Sequence, residues 1–333
     1  MFSINFIINL VNTPEGAITS THNYLFICAL GLPFIIGYNG LSGVLRGSGD
    51  SKRPLYFIII ACIINIVFDI ILIKYQNMGA SGAAIATISS QGVSFILALL
   101  YLKKNHLPFK FSKKYIKIFP IKLKMIFKLG VPIAVQDGLI SISFLIITGI
   151  INNMGIIASA SVGVVEKTII FAMLAPSSIA ASIAVMTAQN IGAKKIQRAK
   201  KILLLGIGFS LLITGFFFLF AQFFPEKITA FFSNDKAVIH TAAQYLRSYS
   251  IDCILVCFVF SMNSFFSGSG SSLFPMIHSL IATFIIRIPL SYFLSKIPEI
   301  TLLEIGFAAP IATLFSLIIS LVYFRYWNKK HEI

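Results

Sequence analysis

Leu45-Arg46-Gly47-Ser48-Gly49-Asp50-Ser51-Lys52-Arg53-Pro54 is a short, polar, glycine-rich hinge between two long apolar runs, Tyr24 to Val44 and Leu55 to Ile73. Its partner stands far downstream, in Phe266-Ser267-Gly268-Ser269-Gly270-Ser271-Ser272-Leu273-Phe274-Pro275. Gly47, Ser48, Gly49 and Pro54 pair with Gly268, Ser269, Gly270 and Pro275 at one constant offset (268 − 47 = 221), and Tyr24-Leu25 and Tyr245-Leu246 keep it. A repeat of 221 residues in a chain of 333 leaves one copy incomplete.

The chain around the hinges is 57% hydrophobic and 11% charged. Soluble domains carry roughly 25% charged residues, so that class is excluded. Apolar runs of about 20 residues recur along the whole length, and a backbone without water satisfies itself as helix. The class is an all-α polytopic membrane protein. Cys28, Cys62, Cys253 and Cys257 all lie in apolar runs without metal-ligand spacing, so Cys253 and Cys257 read as buried thiols. Met1 to Leu10 lacks a basic start and a cleavage site, and does not read as a signal peptide.

Nine full spans are expected, over 21–45, 54–74, 80–102, 126–151, 157–188 (interrupted at Pro176), 202–223, 240–265, 272–295 and 303–326, with a fragment over 1–11. If the hinge at Arg46 is cytoplasmic, alternation puts 20 of the 27 lysines and arginines on the cytoplasmic side and 4 opposite. That asymmetry fixes the orientation, with a cytoplasmic C-terminus, and accounts for the net charge of +16 without nucleic acid. Symmetry with the second copy predicts that two helices and most of a third are missing before the first. The full design is two six-helix halves related by a pseudo-two-fold axis along the membrane normal. The expected parts are an incomplete N-terminal lobe over 1–102, a basic, loop-like connector over 103–125, a C-terminal lobe over 126–326 and a tail over 327–333.

Five segments in order resemble the multidrug and toxic compound extrusion (MATE) family: Leu45 to Lys52, Asn65-Ile66-Val67-Phe68-Asp69, Met78 to Thr87, Gly130 to Asp137, and Ala188-Gln189-Asn190-Ile191-Gly192-Ala193. The likeness runs from Tyr24 to Tyr326. It implies export of small organic cations in exchange for Na⁺ or H⁺ at the cell membrane, by an N-terminally shortened chain expected to be monomeric and to need no other cofactor. The family's acids on its first helix would fall in the missing segment.

Charge inside the bilayer costs about 2.5–3.5 kcal/mol at a helix centre, so each such group asks for a reason. Asp69, Asp137, Glu166 and Asp252 are the acids within spans. Such a carboxylate can exchange a proton, coordinate Na⁺ with neighbouring oxygens, or attract a cationic substrate. Asp69 shares a helix face with Asn65, four residues earlier; the alternatives are an interhelical hydrogen-bonding pair or an acid snorkelling to the outer end of its span. Asp137, beside Gln136 and a turn beyond Pro132, is the favoured acid of the C-terminal half, with a proline-freed carbonyl near it to assist a cation. Its alternative is pairing with Lys124 or Lys128. Glu166 adjoins Lys167, its alternative being charge compensation by that lysine or a neighbouring helix, and Asp252 lies on a helix entered at Arg247. The family's acids on the Asp137 and Asp252 helices lie about a turn further along, so the match is by helix; if Na⁺ is the coupling ion, one of these two is its expected place. Arg287 reads as an ion-pair partner. Tyr38, Phe34, Phe144, Phe171 and Met173 are candidate walls offering cation–π attraction.

Arg46, Gly47, Gly49 and Asp50, with Gly268 and Gly270, are expected to shape cytoplasmic gate turns: the glycines permit reversal, and Arg46 with Asp50 clasps the turn. Five scattered histidines (His22, His106, His240, His278, His331) form no catalytic or metal set, so no enzyme is expected. The rival readings are an exporter of lipid-linked saccharides, which needs a cationic cavity, and an inactive fragment.

Overall fold

A computed structural model describes residue 16, residues 18–104 and residues 117–331. The apolar fragment over 1–11, His106, most of the connector and the end of the tail lie outside the described residues. Among those described there is helix and turn but no strand, and nine helices are long and apolar enough to cross a membrane. The chain divides into two compact units, one up to Lys117 and one from Ile118.

The first unit holds α1 (Ile18–Gly47), α2 (Lys52–Tyr75) and α3 (Gly79–Lys104). α3 lies against both others through small residues, with Gly82, Ala84, Ala86, Ser90, Gly92, Ser94 and Ala98 buried. Small side chains bring helix backbones close where lipid offers no hydrophobic drive to associate. Tyr38, Leu45, Phe57, Ala98 and Leu102 form the core, and the Tyr38 hydroxyl donates to the Pro54 carbonyl oxygen at 2.8 Å, fastening α1 to the start of α2. α2 ends in a π-helical turn over Ile70–Tyr75.

The second unit holds α4 (Pro120–Asn152), α5 (Ile156–Gly192), α6 (Ile196–Phe223), short α7 (Pro225–Thr229), α8 (Lys236–Gly268), α9 (Leu273–Ser295), short α10 (Leu302–Gly306) and α11 (Ala308–His331). α8 is its axis, packing on α5, α6, α10 and α11. One cluster joins Ile147, Val165, Tyr245, Leu246 and Ile305; another sets Phe265 edge-on to Trp327 and Phe266 edge-on to Tyr323. Large apolar side chains such as Leu145, Leu204, Phe216 and Val322 stay exposed, as a lipid-facing surface requires.

The two hinges share a backbone. Asp50 N–H donates to the Leu45 carbonyl and Gly49 N–H to that of Arg46; Ser271 donates to Phe266 and Gly270 to Ser267 in the same way. This is a Schellman ending, and its left-handed position is Gly49 in one hinge and Gly270 in the other, both at φ +91°. Gly47 and Gly268 have other roles. Gly47 is the last residue of α1, with open space beside it, whereas a Cβ on Gly268 would strike the Ala184 carbonyl oxygen of α5. Gly268 is therefore a contact glycine. Among the described residues Arg46 forms no ion pair with Asp50, which instead pairs with Arg53 at 3.5 Å and accepts from the Tyr101 hydroxyl at 3.1 Å.

Two further expectations change. α5 runs unbroken through Pro176, the Ser177 and Ser178 hydroxyls both donating to the Leu174 carbonyl just before it. The connector expected as loop is helical at both of its described ends, with α3 reaching Lys104 and α4 beginning at Pro120.

Candidate functional site

Five helices of the second unit enclose a cavity of about 580 Å³. Each contributes a face at helical spacing: Gln136, Ile140 and Phe144 from α4; Glu166, Ile169, Ile170, Met173, Leu174 and Ser177 from α5; Tyr249, Asp252, Val256, Val259, Phe260 and Asn263 from α8. α9 adds Ser279, Ala282, Thr283 and Arg287, and α11 adds Ala312, Thr313 and Ser316. The walls are chiefly apolar, with polar groups gathered in two places.

The first is charged. Asp252 is 5% exposed; its carboxylate meets the Thr313 hydroxyl, but its Oδ1 atom has no hydrogen-bond partner among the described residues, a costly state away from water. Glu166 accepts from the Thr148 hydroxyl at 3.4 Å. Arg287 donates to the Tyr249 hydroxyl at 3.0 Å and lies 4.6 Å over the Phe144 ring. Among the described residues it makes no ion pair, so it acts on Glu166 and Asp252 only through its field. Two acids against one base leave the cavity with one uncompensated negative charge when both acids are ionised. Arg287 closes a π-helical turn, Ala282–Arg287, which carries its side chain off the register of an ordinary helix.

The second is neutral. Gln136 Nε2 donates to Ser279 Oγ at 3.2 Å, and Asn263 Nδ2 to the same oxygen at 3.5 Å. Behind them His278, 1% exposed, reaches Asn263 Oδ1 with Nε2 at 2.9 Å and Ser316 Oγ with Nδ1 at 2.7 Å.

Of the residues proposed from sequence, Gln136, Glu166 and Asp252 come together here. Asp137 does not: one residue beyond Gln136 it is exposed and outside the lining, with no ion pair to Lys124 or Lys128 among the described residues. The carbonyl freed by Pro132 is that of Lys128, and it accepts from the Ser272 hydroxyl at 3.2 Å, so it does not serve a cation beside Asp137. Lys167 is exposed, and among the described residues no ion pair joins it to Glu166. Asn65 and Asp69 belong to the first unit, where both carry a buried atom without a hydrogen-bond partner among the described residues. Asn65 lines a small cavity of about 130 Å³ with Tyr38, Cys62 and Gln91, and Asp69 does not. Of the expected walls, Phe144 and Met173 line the large cavity, while Phe171 lies tilted against Phe232 and Phe34 against Phe95. Sequence reasoning passed over His278, Asn263, Ser279 and Tyr249. The available signal was the repeat, which sets His278 against Phe57, an apolar residue at the same place in the first copy.

Fold and site together define a polytopic helical membrane transporter with an acidic, aromatic-walled cavity in one repeat. The MatE family model matches residues 1–71 and 132–293, and the chain belongs to that family. The probable multidrug resistance protein YpnP of Bacillus subtilis is 30% identical over 332 residues, covering 99% of this chain and 73% of its own. YoeA of the same organism, also a probable multidrug resistance protein, is 28% identical, covering 97% and 72%. A solved multidrug resistance MATE transporter in an outward-facing conformation matches with a TM-score of 0.93 at 18% identity, over 99% of this chain and 74% of its own, a likeness of fold.

Proposed function

We propose that this chain exports organic cations, drugs and dyes among them, across the cell membrane in antiport with Na⁺ or H⁺, with its hinges and C-terminus cytoplasmic. The observation that carries the reading is Asp252, a buried carboxylate of the cavity lining whose Oδ1 atom has no hydrogen-bond partner among the described residues. A monocation there completes the charge of the cavity, and the apolar lining of Val256, Val259 and Phe260 takes its hydrophobic body. Coupling follows from competition: Na⁺ or a proton at Asp252 or Glu166 removes the negative charge that holds the substrate, so each displaces the other. The names of the relatives point the same way. An exporter of phosphate-bearing lipids is less well supported, since one arginine faces two acids.

Ethidium accumulation in a host stripped of its own efflux pumps tests the reading. Cells producing the chain should accumulate less dye, and Asp252→Asn or Glu166→Gln should return them to the level of the empty vector. Unchanged accumulation, with the chain shown to be in the membrane, would refute export of cations. Exchanging Na⁺ for choline at fixed pH then identifies the coupling ion: uptake into inverted vesicles stops for a Na⁺ antiporter and continues for an H⁺ antiporter.

A further inference from the structure

The neutral end of the cavity is as carefully built as the charged end, and cation export alone does not call for it. His278 is almost wholly buried, yet both ring nitrogens meet polar partners: Nδ1 meets Ser316 Oγ at 2.7 Å, and Nε2 meets Asn263 Oδ1 at 2.9 Å, with Ser320 Oγ further off at 3.4 Å. A carbonyl oxygen only accepts, so Nε2 carries the proton, and Nδ1 accepts from the Ser316 hydroxyl. With Oδ1 thus held, the Asn263 amide must turn its NH₂ group toward Ser279 and the cavity. Ser279 Oγ already receives the Gln136 amide at 3.2 Å, which leaves the Asn263 donor weakly used at 3.5 Å. The fold does not demand this cluster. In the first copy Phe57 stands where His278 stands in the second, and Ser42 where Asn263 stands, at the same offset of 221 that relates Gly47 to Gly268. Phe57 is plain core there, packed with Tyr38 and Leu45.

We propose that Asn263, positioned by His278, forms a hydrogen-bond donor subsite, so that the preferred cargo is an aromatic monocation carrying an acceptor oxygen such as a ketone on the side remote from its charge. The inference rests on the cation-export reading and sharpens it. His278 is the positioning residue, and Asn263 Nδ2 is the group that touches the ligand. The charge of the ligand goes to Asp252 and its oxygen to the amide, with the apolar Val256, Val259 and Phe260 between them on the same helix face.

Equilibrium binding to the purified full chain tests this with two matched cations, tetraphenylphosphonium and its derivative acetylated at the para position of one ring. The wild type should bind the ketone about tenfold more tightly, the worth of one ordinary hydrogen bond. His278→Phe, a residue the fold already accepts at the equivalent place, should bring the ratio of the two affinities to about one. His278→Gln, whose amide N–H can still donate to Asn263 Oδ1, should restore most of the preference. A wild type that binds both cations equally overturns the subsite and leaves cation export standing. A preference that survives His278→Phe, or is not restored by His278→Gln, overturns the positioning role. A wild type that binds neither cation overturns the export reading, and the subsite falls with it.

Discussion

Gly49 and Gly270, 221 residues apart, hold the same left-handed backbone at φ +91°, each closing a long helix through the same pair of backbone hydrogen bonds. The two hinges are thus one device used twice. Any residue with a Cβ pays about 1–2 kcal/mol in that conformation, and asparagine pays less. Gly49→Ala and Gly270→Ala should therefore each lower the unfolding temperature in detergent, and the asparagine variants should fall between alanine and wild type. Equal unfolding temperatures for glycine and alanine would contradict the shared ending.

The neighbouring glycines should part company. Gly47 and Gly268 align in sequence, but alanine at Gly47 finds open space, whereas alanine at Gly268 meets the Ala184 carbonyl oxygen and Thr187. Gly47→Ala should be neutral or gain about 0.4–1 kcal/mol from a stiffer unfolded chain. Gly268→Ala should cost about 1–3 kcal/mol, because α5 and α8 must move apart. Thermal unfolding of the two variants side by side gives the comparison.

Ser272 and Pro132 form a second testable pair. Proline lacks the N–H that would bond the Lys128 carbonyl, and Ser272 supplies the donor at 3.2 Å. Ser272→Ala should cost about 1–3 kcal/mol in the wild type by stranding that carbonyl. In a Pro132→Ala background the helix regains its own N–H, and the same change should cost far less. Additive effects in the double-mutant cycle would show that the serine does not replace the missing donor.

The hinges were legible because their chemistry is local: glycine and proline at fixed offsets leave the backbone few choices. Span number was legible for a similar reason, since apolar length maps directly onto helix length. The site was only partly so. Asp137 and Gln136 are adjacent, and about 100° of helical turn separates a cavity residue from an exposed one. In a helix flanked by lipid, apolar residues cover every face and hydrophobic periodicity no longer marks the inward side. Arg287 was visible as a buried charge, but the π-helical turn before it altered its aim, and it found aromatic faces where a carboxylate was expected. His278 looked isolated because its partners, Asn263 and Ser316, lie on other helices.

The placement of Arg287 implies that its shape matters as well as its charge. A planar guanidinium 4.6 Å over Phe144 that also bonds the Tyr249 hydroxyl is poorly replaced by an ammonium. Arg287→Lys keeps the charge count of the cavity, yet should lower the unfolding temperature, and Phe144→Leu should lower it by a similar route. In the double variant the two losses should sum to less than their separate effects, because the contact is lost only once. Strict additivity would show that the stacking contributes nothing.

Asp252 offers the sharpest opposition of stability to function. Its Oδ1 atom is buried in the cavity wall without a hydrogen-bond partner among the described residues, so the folded chain bears a desolvation cost that the field of Arg287 and the Thr313 hydroxyl offset only in part. Asparagine has nearly the same shape and no charge. Asp252→Asn should therefore raise the unfolding temperature of the ligand-free chain while weakening tetraphenylphosphonium binding by at least about tenfold, the loss of one close charge interaction. A residue kept for packing would behave oppositely, losing stability and leaving binding nearly intact. Measuring both quantities on the same preparation separates the two cases, because a buried carboxylate that destabilises its own fold is retained for what it binds.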